Sequence, residues 1–321
     1  MPLSAGPKLP EVVVPRGVTV AEVVEHFALE VVSDAGEDLS LPTIVHARPN
    51  RPGRLWTDLT GHQPEGRLLV IGAAEWGALH VLGQEDRLRR VQRLGELEVP
   101  AVILANGLPL EPSTLAALEA HHVPVLRTSV STGDFVGDLI WYLQLELAPR
   151  AILHAGLVDV NGEGVLILGR SGIGKSECAL ELIRRGHRLI ADDTVEVRRP
   201  TEHELIGRAP GRMRHFMEVK GIGIVNLRTM YGIGAVKSSG DVEMAVFLVP
   251  DDGTDEFTRG PDTMDLLGVD LPLVTIPLRP GRNAAVLVEA AATTLRARAL
   301  TGRGGDRTLF ENRADTFDRL R

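Results

Sequence analysis

The 321-residue chain has a single cysteine, Cys178, so it cannot close an internal disulfide, which fits a reducing compartment. No stretch approaches the ~20 uninterrupted apolar residues that would cross a bilayer, so no membrane span is expected. The opening residues MPLSAGPKLPEVVV lack a basic n-region followed by a long apolar h-region; the expectation is a chain without a signal peptide, working in the cytoplasm. There is no internal repeat and no low-complexity tract. H-E-x-x-H, a C-x-x-C pair and G-x-S-x-G are absent, which leaves zinc catalysis and serine hydrolysis without positive support. H-R-D and D-F-G are absent too, so a kinase reading would have to be of the phosphate-loop type.

What is present is ordinary globular material. Apolar residues make up 44% and charged residues 24%, which excludes a disordered chain, a collagen and a disulfide miniprotein. The length suggests two domains. The formal net charge is −8, and it is unevenly spread: residues 1–147 hold 11 Lys and Arg against 19 Asp and Glu, while residues 148–321 hold 24 of each sign. A chain so charged is a poor match for a phosphate backbone, so no nucleic-acid partner is expected. Only Arg296–Arg321 is locally basic, and a solvated helical end accounts for it.

The first half alternates short apolar runs with helix-like segments. RLLVIG (67–72), PAVILANG (100–107) and VPVLRT (123–128) read as buried strands, and QEDRLRRVQRLGEL between them as a helix. That alternation predicts an α/β layer with parallel pairing. FVGDLIWYLQLELA (135–148) carries apolar residues at helical spacing and stops before Pro149, which places the boundary near residue 148: an N-terminal α/β domain over 1–148, with a binding or assembly role, and a C-terminal domain over 149–321. The second half opens on two apolar runs flanking Asn161–Gly162, a hairpin turn signal. The strand 164–168 runs into a glycine-rich loop and then a helix, ECALELIRRG, with Ala179, Leu182 and Ile183 on one face and Gly186 as a C-cap. HRLIA follows as a buried strand ending in Asp192–Asp193, and then a more strand-rich stretch. AAVLVEAAATTLRARAL reads as a strand passing into a closing helix or as that helix alone.

The loop carries the strongest chemical signal. Gly169-Arg170-Ser171-Gly172-Ile173-Gly174-Lys175-Ser176 fits G-x-x-x-x-G-K-[ST] at every fixed position, between an apolar strand and an amphipathic helix. The glycines let successive N–H groups turn inward around phosphate oxygens, Lys175 adds a cation, Ser176 offers a hydroxyl to Mg²⁺, and the helix points its positive end at the anion. The alternative is a glycine-rich turn that only caps a helix. Asp192 and Asp193, at a strand end beyond this loop, suit a Mg²⁺ ligand acting through water or a proton acceptor; a helix cap or Asx turn is the bland reading. His154 on its own reads as structural, and Glu218, beside Gly221 and Gly223, as either a metal ligand or a surface carboxylate. Arg279–Asn283 puts two arginines around a tight turn, either gripping a phosphate group or forming an ordinary basic loop. Cys178, inside the amphipathic helix, reads as packing.

HAGLVDVNGEGVLILGRSGIGKSECALELIRRGHRLIADDTVEV resembles the central block of the HPr kinase/phosphorylase family. EVKGIGIVNLRTMYGIGAV resembles that family's second signature, which usually reads closer to E-x-R-G-L-G-I-I, and IPLRPGRNAAVLVEAAA its C-terminal block. The three blocks cover most of residues 150–292, and VIGAAEWGAL, the VPAVILANGLP region and LRTSVSTGDF fall where the family has similar segments. The resemblance implies a cytoplasmic, bifunctional homohexamer. It would phosphorylate a serine of the phosphocarrier protein HPr with ATP or pyrophosphate and Mg²⁺, and remove that phosphate by phosphorolysis to give pyrophosphate. It also implies a C-terminal phosphate-loop domain with a phosphoenolpyruvate-carboxykinase-like core. Carried over residue by residue, the family's catalytic His falls on His154, its loop Lys on Lys175, its acid/base Asp on Asp193 and its catalytic Arg on Arg259. Its Mg²⁺ ligands fall on Ser176 and Glu218, and its phosphorolysis segment on Pro280, Gly281, Arg282, Asn283, Ala284 and Ala285. The chain departs from the family pattern at Ala155-Gly156, where glycine comes first in the family, and at Phe-Thr-Arg259-Gly-Pro, which lacks the usual Arg-Leu-Gly.

Two other readings fit the loop alone. A phosphate-loop kinase of a small molecule would carry an acceptor pocket in the same domain, and a nucleotide-dependent switch would need no turnover. Intact Lys175, Ser176 and Asp193 favour an enzyme over the switch.

Overall fold

The computed structural model describes residues 10–41, 43–51, 65–97, 99–211, 214–251, 263–279, 281 and 283–300. They group into two compact units, one over Val14–Ala148 and one from Pro149 onward that also takes in the strand β1 (Val12–Val13).

The first unit runs α1 (Val20–Phe27), β2 (Glu30–Ser33), β3 (Leu69–Ile71), α2 (Ala73–His80), α3 (Gln84–Gly95), β4 (Val102–Leu104), α4 (Pro112–Glu119), β5 (Val125–Arg127) and α5 (Thr132–Glu146). The sheet order is β2-β5-β4-β3; β3, β4 and β5 are parallel and β2 is antiparallel. The expected buried strands are these three: Leu69–Ile71 and Val102–Leu104 are fully apolar and covered on both faces, and β5 buries Val125 and Leu126 while Arg127 is partly exposed. Val70, Ile103 and Leu126 pack with Phe135, Leu139 and Leu143 of α5 and with Val20 and Val23 of α1. The alternate residues Leu69, Ile71, Val102, Leu104 and Val125 pack with Trp76, Leu79, Val91, Leu94 and Leu118 on the other face. The helix α5 starts three residues earlier than the apolar spacing suggests, because Ser131 caps it by accepting from the Asp134 amide.

The second unit runs β6 (Arg150–Leu153), β7 (Gly156–Val160), β8 (Glu163–Gly169), α6 (Lys175–Arg184), β9 (Arg188–Ala191), β10 (Val195–Arg198), β11 (Ile206–Arg208), β12 (Phe216–Val219), β13 (Gly223–Asn226), α7 (Leu227–Tyr231), β14 (Ser239–Asp241), β15 (Met244–Pro250), β16 (Thr263–Leu266), β17 (Val269–Leu278) and α8 (Ala284–Leu300). Two sheets face each other across a core: a six-stranded sheet in the order β16-β17-β15-β8-β7-β9 and a five-stranded sheet β1-β6-β10-β11-β14. Helices α6 and α8 cover the other face of the six-stranded sheet through Ala179, Leu182, Ile183, Val288 and Ala292. Asn161 and Gly162, both at positive φ, make the two-residue turn between the antiparallel β7 and β8. The alanine-rich segment after residue 283 is helical throughout.

Strand direction decides where chemistry can happen. β8, β15 and β17 are mutually parallel; β7 is antiparallel to both β8 and β9, so β9 runs with β8. The carboxyl ends of β8, β9, β15 and β17, and the amino end of β7, therefore lie on one edge of the sheet. Loops leaving the carboxyl ends of such strands are where α/β proteins place their ligands.

Candidate active site

The loop from Gly169 to Ser176 leaves β8 on that edge. Gly172 (φ 77°) and Gly174 (φ 110°) hold left-handed backbone that a side chain would strain, and Gly174 stands at the start of α6 with no side-chain cap on the helix amides. Ala179, Leu182 and Ile183 bury one face of α6 under the sheet, which fixes the loop at its helical end.

Lys175, only 7% exposed, turns its ammonium back across the loop. Its Nζ donates to the Gly169 carbonyl at 3.2 Å and the Arg170 carbonyl at 3.4 Å, and lies 3.1 Å from His154 Nε2. The other ring nitrogen, His154 Nδ1, lies 2.9 Å from the Asp193 carbonyl oxygen and 3.1 Å from Asp193 Oδ1. Two acceptors face Nδ1 and a donor faces Nε2, so Nδ1 is placed to donate to Asp193 and Nε2 to accept from Lys175. Lys175, His154 and Asp193 thus form one hydrogen-bonded chain, built from the loop, the β6–β7 connection and the end of β9. Asp193 holds left-handed backbone (φ 65°), and its carbonyl collects a second donor, the Ala155 amide at 3.1 Å. Burial holds the Lys175 ammonium below the usual lysine range; Asp193, Asp192 and Glu177 oppose that shift and Lys220 adds to it.

Asp192 faces the other way, as neighbouring residues at a strand end do. Both its carboxylate oxygens are shut off from solvent and complete no hydrogen bond. Burial pushes its pKa up, with Asp193 adding to that, while the nearby Ser176 hydroxyl and Glu218 amide favour the charged form without reaching full hydrogen-bond geometry. Ser176, Asp192 and the backbone of Glu218 therefore meet at one point. Glu218 itself is on the exposed side of β12, in a hairpin whose Met217 is buried against the core.

The turn after β17 leaves the same edge. Asn283 accepts from the Ala285 amide at 3.0 Å, starting α8, and its Nδ2 lies 3.5 Å from Glu181 Oε1 on α6. Arg279 pairs with Asp251, which ties the ends of β17 and β15 together. Of the segment implied by the resemblance, Gly281, Asn283, Ala284 and Ala285 are placed here; Pro280 and Arg282, like Arg259, lie outside the described residues. Sequence reasoning left Asp192 between several roles, and it passed over Lys220 altogether. Its only signal is its place in the second block, where E-V-K-G stands against the family's E-x-R-G.

Two family models cover the chain: the HPr Serine kinase N terminus matches residues 18–143 and the HPr Serine kinase C-terminal domain residues 145–311. The chain is 40% identical over 282 residues to the HPr kinase/phosphorylase of Geobacillus thermodenitrificans, spanning 87% of this chain and 91% of that protein. It is 38% identical over 308 residues to the HPr kinase/phosphorylase of Limosilactobacillus reuteri, spanning 95% and 93%. A solved structure, the Hpr(Ser) kinase/phosphatase from Coxiella burnetii, aligns with 32% identity and a TM-score of 0.42 over 48% of this chain and 93% of that one. Two ordered family matches and long relatives at this identity agree with the three sequence blocks: the chain belongs to the HPr serine kinase family.

Proposed function

We propose that this chain is a bifunctional protein serine kinase and phosphorylase that phosphorylates a serine of HPr and, with inorganic phosphate, removes that phosphate to give pyrophosphate. The observation that carries the reading is the Lys175–His154–Asp193 chain at the carboxyl edge of the sheet, beside a glycine loop at the start of α6. The loop amides and Lys175 hold the phosphates of ATP or pyrophosphate, and their positive field offsets charge on the phosphoryl group in flight. Asp193, 65% exposed at its side chain, is open to a protein substrate and takes the serine hydroxyl proton. In the reverse direction the protonated Asp193 returns that proton to the serine oxygen while inorganic phosphate attacks the phosphorus. His154 fixes the Lys175 ammonium on one side and the Asp193 carboxylate on the other.

The residues fit Mg²⁺. A buried carboxylate with two unpartnered oxygens next to a serine hydroxyl is costly unless a hard cation completes it. Among the described residues no three His, Cys, Asp or Glu side chains form an all-protein metal cage, and Mg²⁺ is held by one or two carboxylates together with substrate phosphates. Ser176, Asp192 and Glu218 are the groups that would hold it; when bound, it supplies charge neutralisation at the phosphates. The turn at Arg279–Asn283 and Arg259 serve phosphorolysis and phosphate binding, the two-unit chain assembles as a homohexamer in the cytoplasm, and the second unit has a phosphoenolpyruvate-carboxykinase-like core. No described helix is long and apolar enough to cross a membrane.

The decisive assay incubates the full chain with HPr and Mg²⁺ plus ATP, or plus pyrophosphate, and separately incubates serine-phosphorylated HPr with inorganic phosphate. Phosphoserine formation in the first pair and pyrophosphate release in the second are expected. No transfer to HPr from either donor would overturn the reading.

A further inference from the structure

Lys220 has no part in the chemistry proposed for HPr, although its position is closely defined. Val219, Lys220, Gly221 and Ile222 form the turn between β12 and β13, closed by the Ile222 amide donating to the Val219 carbonyl at 3.0 Å, with Gly221 in the left-handed region that favours glycine (φ 81°). Met217 and Val219 anchor this hairpin on the core under α6, while Glu218 in the strand and Lys220 in the turn are exposed.

From there the Lys220 ammonium reaches over the phosphate loop: a Cβ placed on Gly172 would lie 3.4 Å from Lys220 Nζ. Lys220 makes no hydrogen bond or ion pair with a described residue. The Lys175 ammonium lies against the same loop, donating to the Gly169 and Arg170 carbonyls. Two ammonium groups are thus aimed at one small, glycine-lined loop, where each raises the cost of the other. A single multiply charged anion lying between them would relieve both.

We infer that Lys220 is a second phosphate ligand, contacting the oxygens of a diphosphate or triphosphate held over Gly172. This rests on the phosphate-loop reading of residues 169–176. A charge-assisted hydrogen bond of this kind changes affinity by about 10–100-fold. Pyrophosphate, which offers the protein only phosphate oxygens, depends on Lys220 more than ATP does.

The test is calorimetric binding of inorganic pyrophosphate, and of ATP, to the full chain with Mg²⁺, for the wild type, K220A, K220R and K175A, each with a thermal melt. K220A is expected to melt normally, to weaken pyrophosphate by about 10–100-fold and ATP by less, and K220R to restore most of the affinity. Unchanged pyrophosphate binding in K220A with binding lost in K175A would overturn the inference and leave the phosphate loop standing. Unchanged binding in both would overturn the phosphate-loop reading itself. A loss in K220A that K220R does not restore would also overturn the inference, because charge would then not be what position 220 supplies.

Discussion

Two helix starts in this molecule follow parallel strands in the same way and come to opposite ends. In the first unit β3 passes through Gly72 into α2, and the Gly72 amide donates to Glu75 Oε2 at 3.1 Å; Glu75 is buried and also holds Arg51 at 2.6 Å. The neighbouring strand ends are tied off likewise, with Asn106 donating to Thr132 at 2.9 Å. In the second unit β8 passes through Gly169–Gly174 into α6, whose first amides have no side-chain acceptor, and Asp192 close by completes no hydrogen bond. Both units offer the edge where α/β sheets bind ligands. What separates them is internal pairing: one edge carries its own anion, the other leaves donors, a cation and a carboxylate facing a shared space. Layout alone is not a site.

The sharpest way to test that contrast is Asp193→Asn. It keeps the size and the His154 contact while removing the proposed base, so kinase turnover should fall by about 10²–10⁴-fold and phosphorolysis with it, while nucleotide affinity changes little. Asp192→Asn should instead weaken Mg²⁺ binding, so that turnover needs more Mg²⁺, and cost less in proton transfer. If Asp192→Asn abolishes turnover and Asp193→Asn barely alters it, the two roles are reversed. The matching change in the other unit is Glu75→Ala. It unpairs the Gly72 amide and Arg51, so it should cost about 1–2 kcal/mol in a denaturant titration and leave turnover per folded molecule unchanged. A loss of turnover without a loss of stability would make the first unit's edge a working site and dissolve the contrast.

Much of the frame was legible because it is local. Apolar triplets such as Leu69–Ile71 and Val102–Leu104 are covered on both faces and read as parallel strands, and Asn161–Gly162 specified its own turn. The segment 284–300 was ambiguous because alanines and valines give it no clear period; it is a helix because Ala285, Val288, Ala291 and Ala292 pack as one face on the sheet. β1 had no local signal: two valines gain a strand only by pairing with Ala151 and Arg150, far along the chain. In the site, the loop announced itself by spacing. The approach of His154 to Lys175, by contrast, depends on where β7 and β8 fall in the sheet, and only the family resemblance singled out His154 beforehand. Lys220 stands at the arginine position of the second block, and nothing local marks it as a ligand.

The smallest expected effect lies at the opposite end of β8. Glu243 accepts from the Gly164 amide at 2.7 Å, and burial, with Glu163 and Asp241 nearby, pushes its pKa up to about 7 from 4.5. A carboxyl that holds its proton more tightly when folded stabilises the fold at low pH and loses that contribution as pH rises through about 7. Glu243→Gln should therefore flatten the fall in melting temperature between pH 5 and 8; an unchanged slope would show that this carboxyl does not report the fold.

Cys178 gives the second unit a clock of its own. It is the chain's sole thiol, it lies in α6 three residues past the loop lysine, and burial, with Glu181 adding, pushes its pKa up to about 12. A thiol so protected is inert until α6 lifts from the sheet, since only the exposed thiolate reacts. The rate at which an alkylating reagent marks the protein therefore counts openings of α6 and is silent about the first unit, which has no sulfur nucleophile to mark. A ligand that closes the loop would slow that clock in proportion to how firmly it holds the helix down.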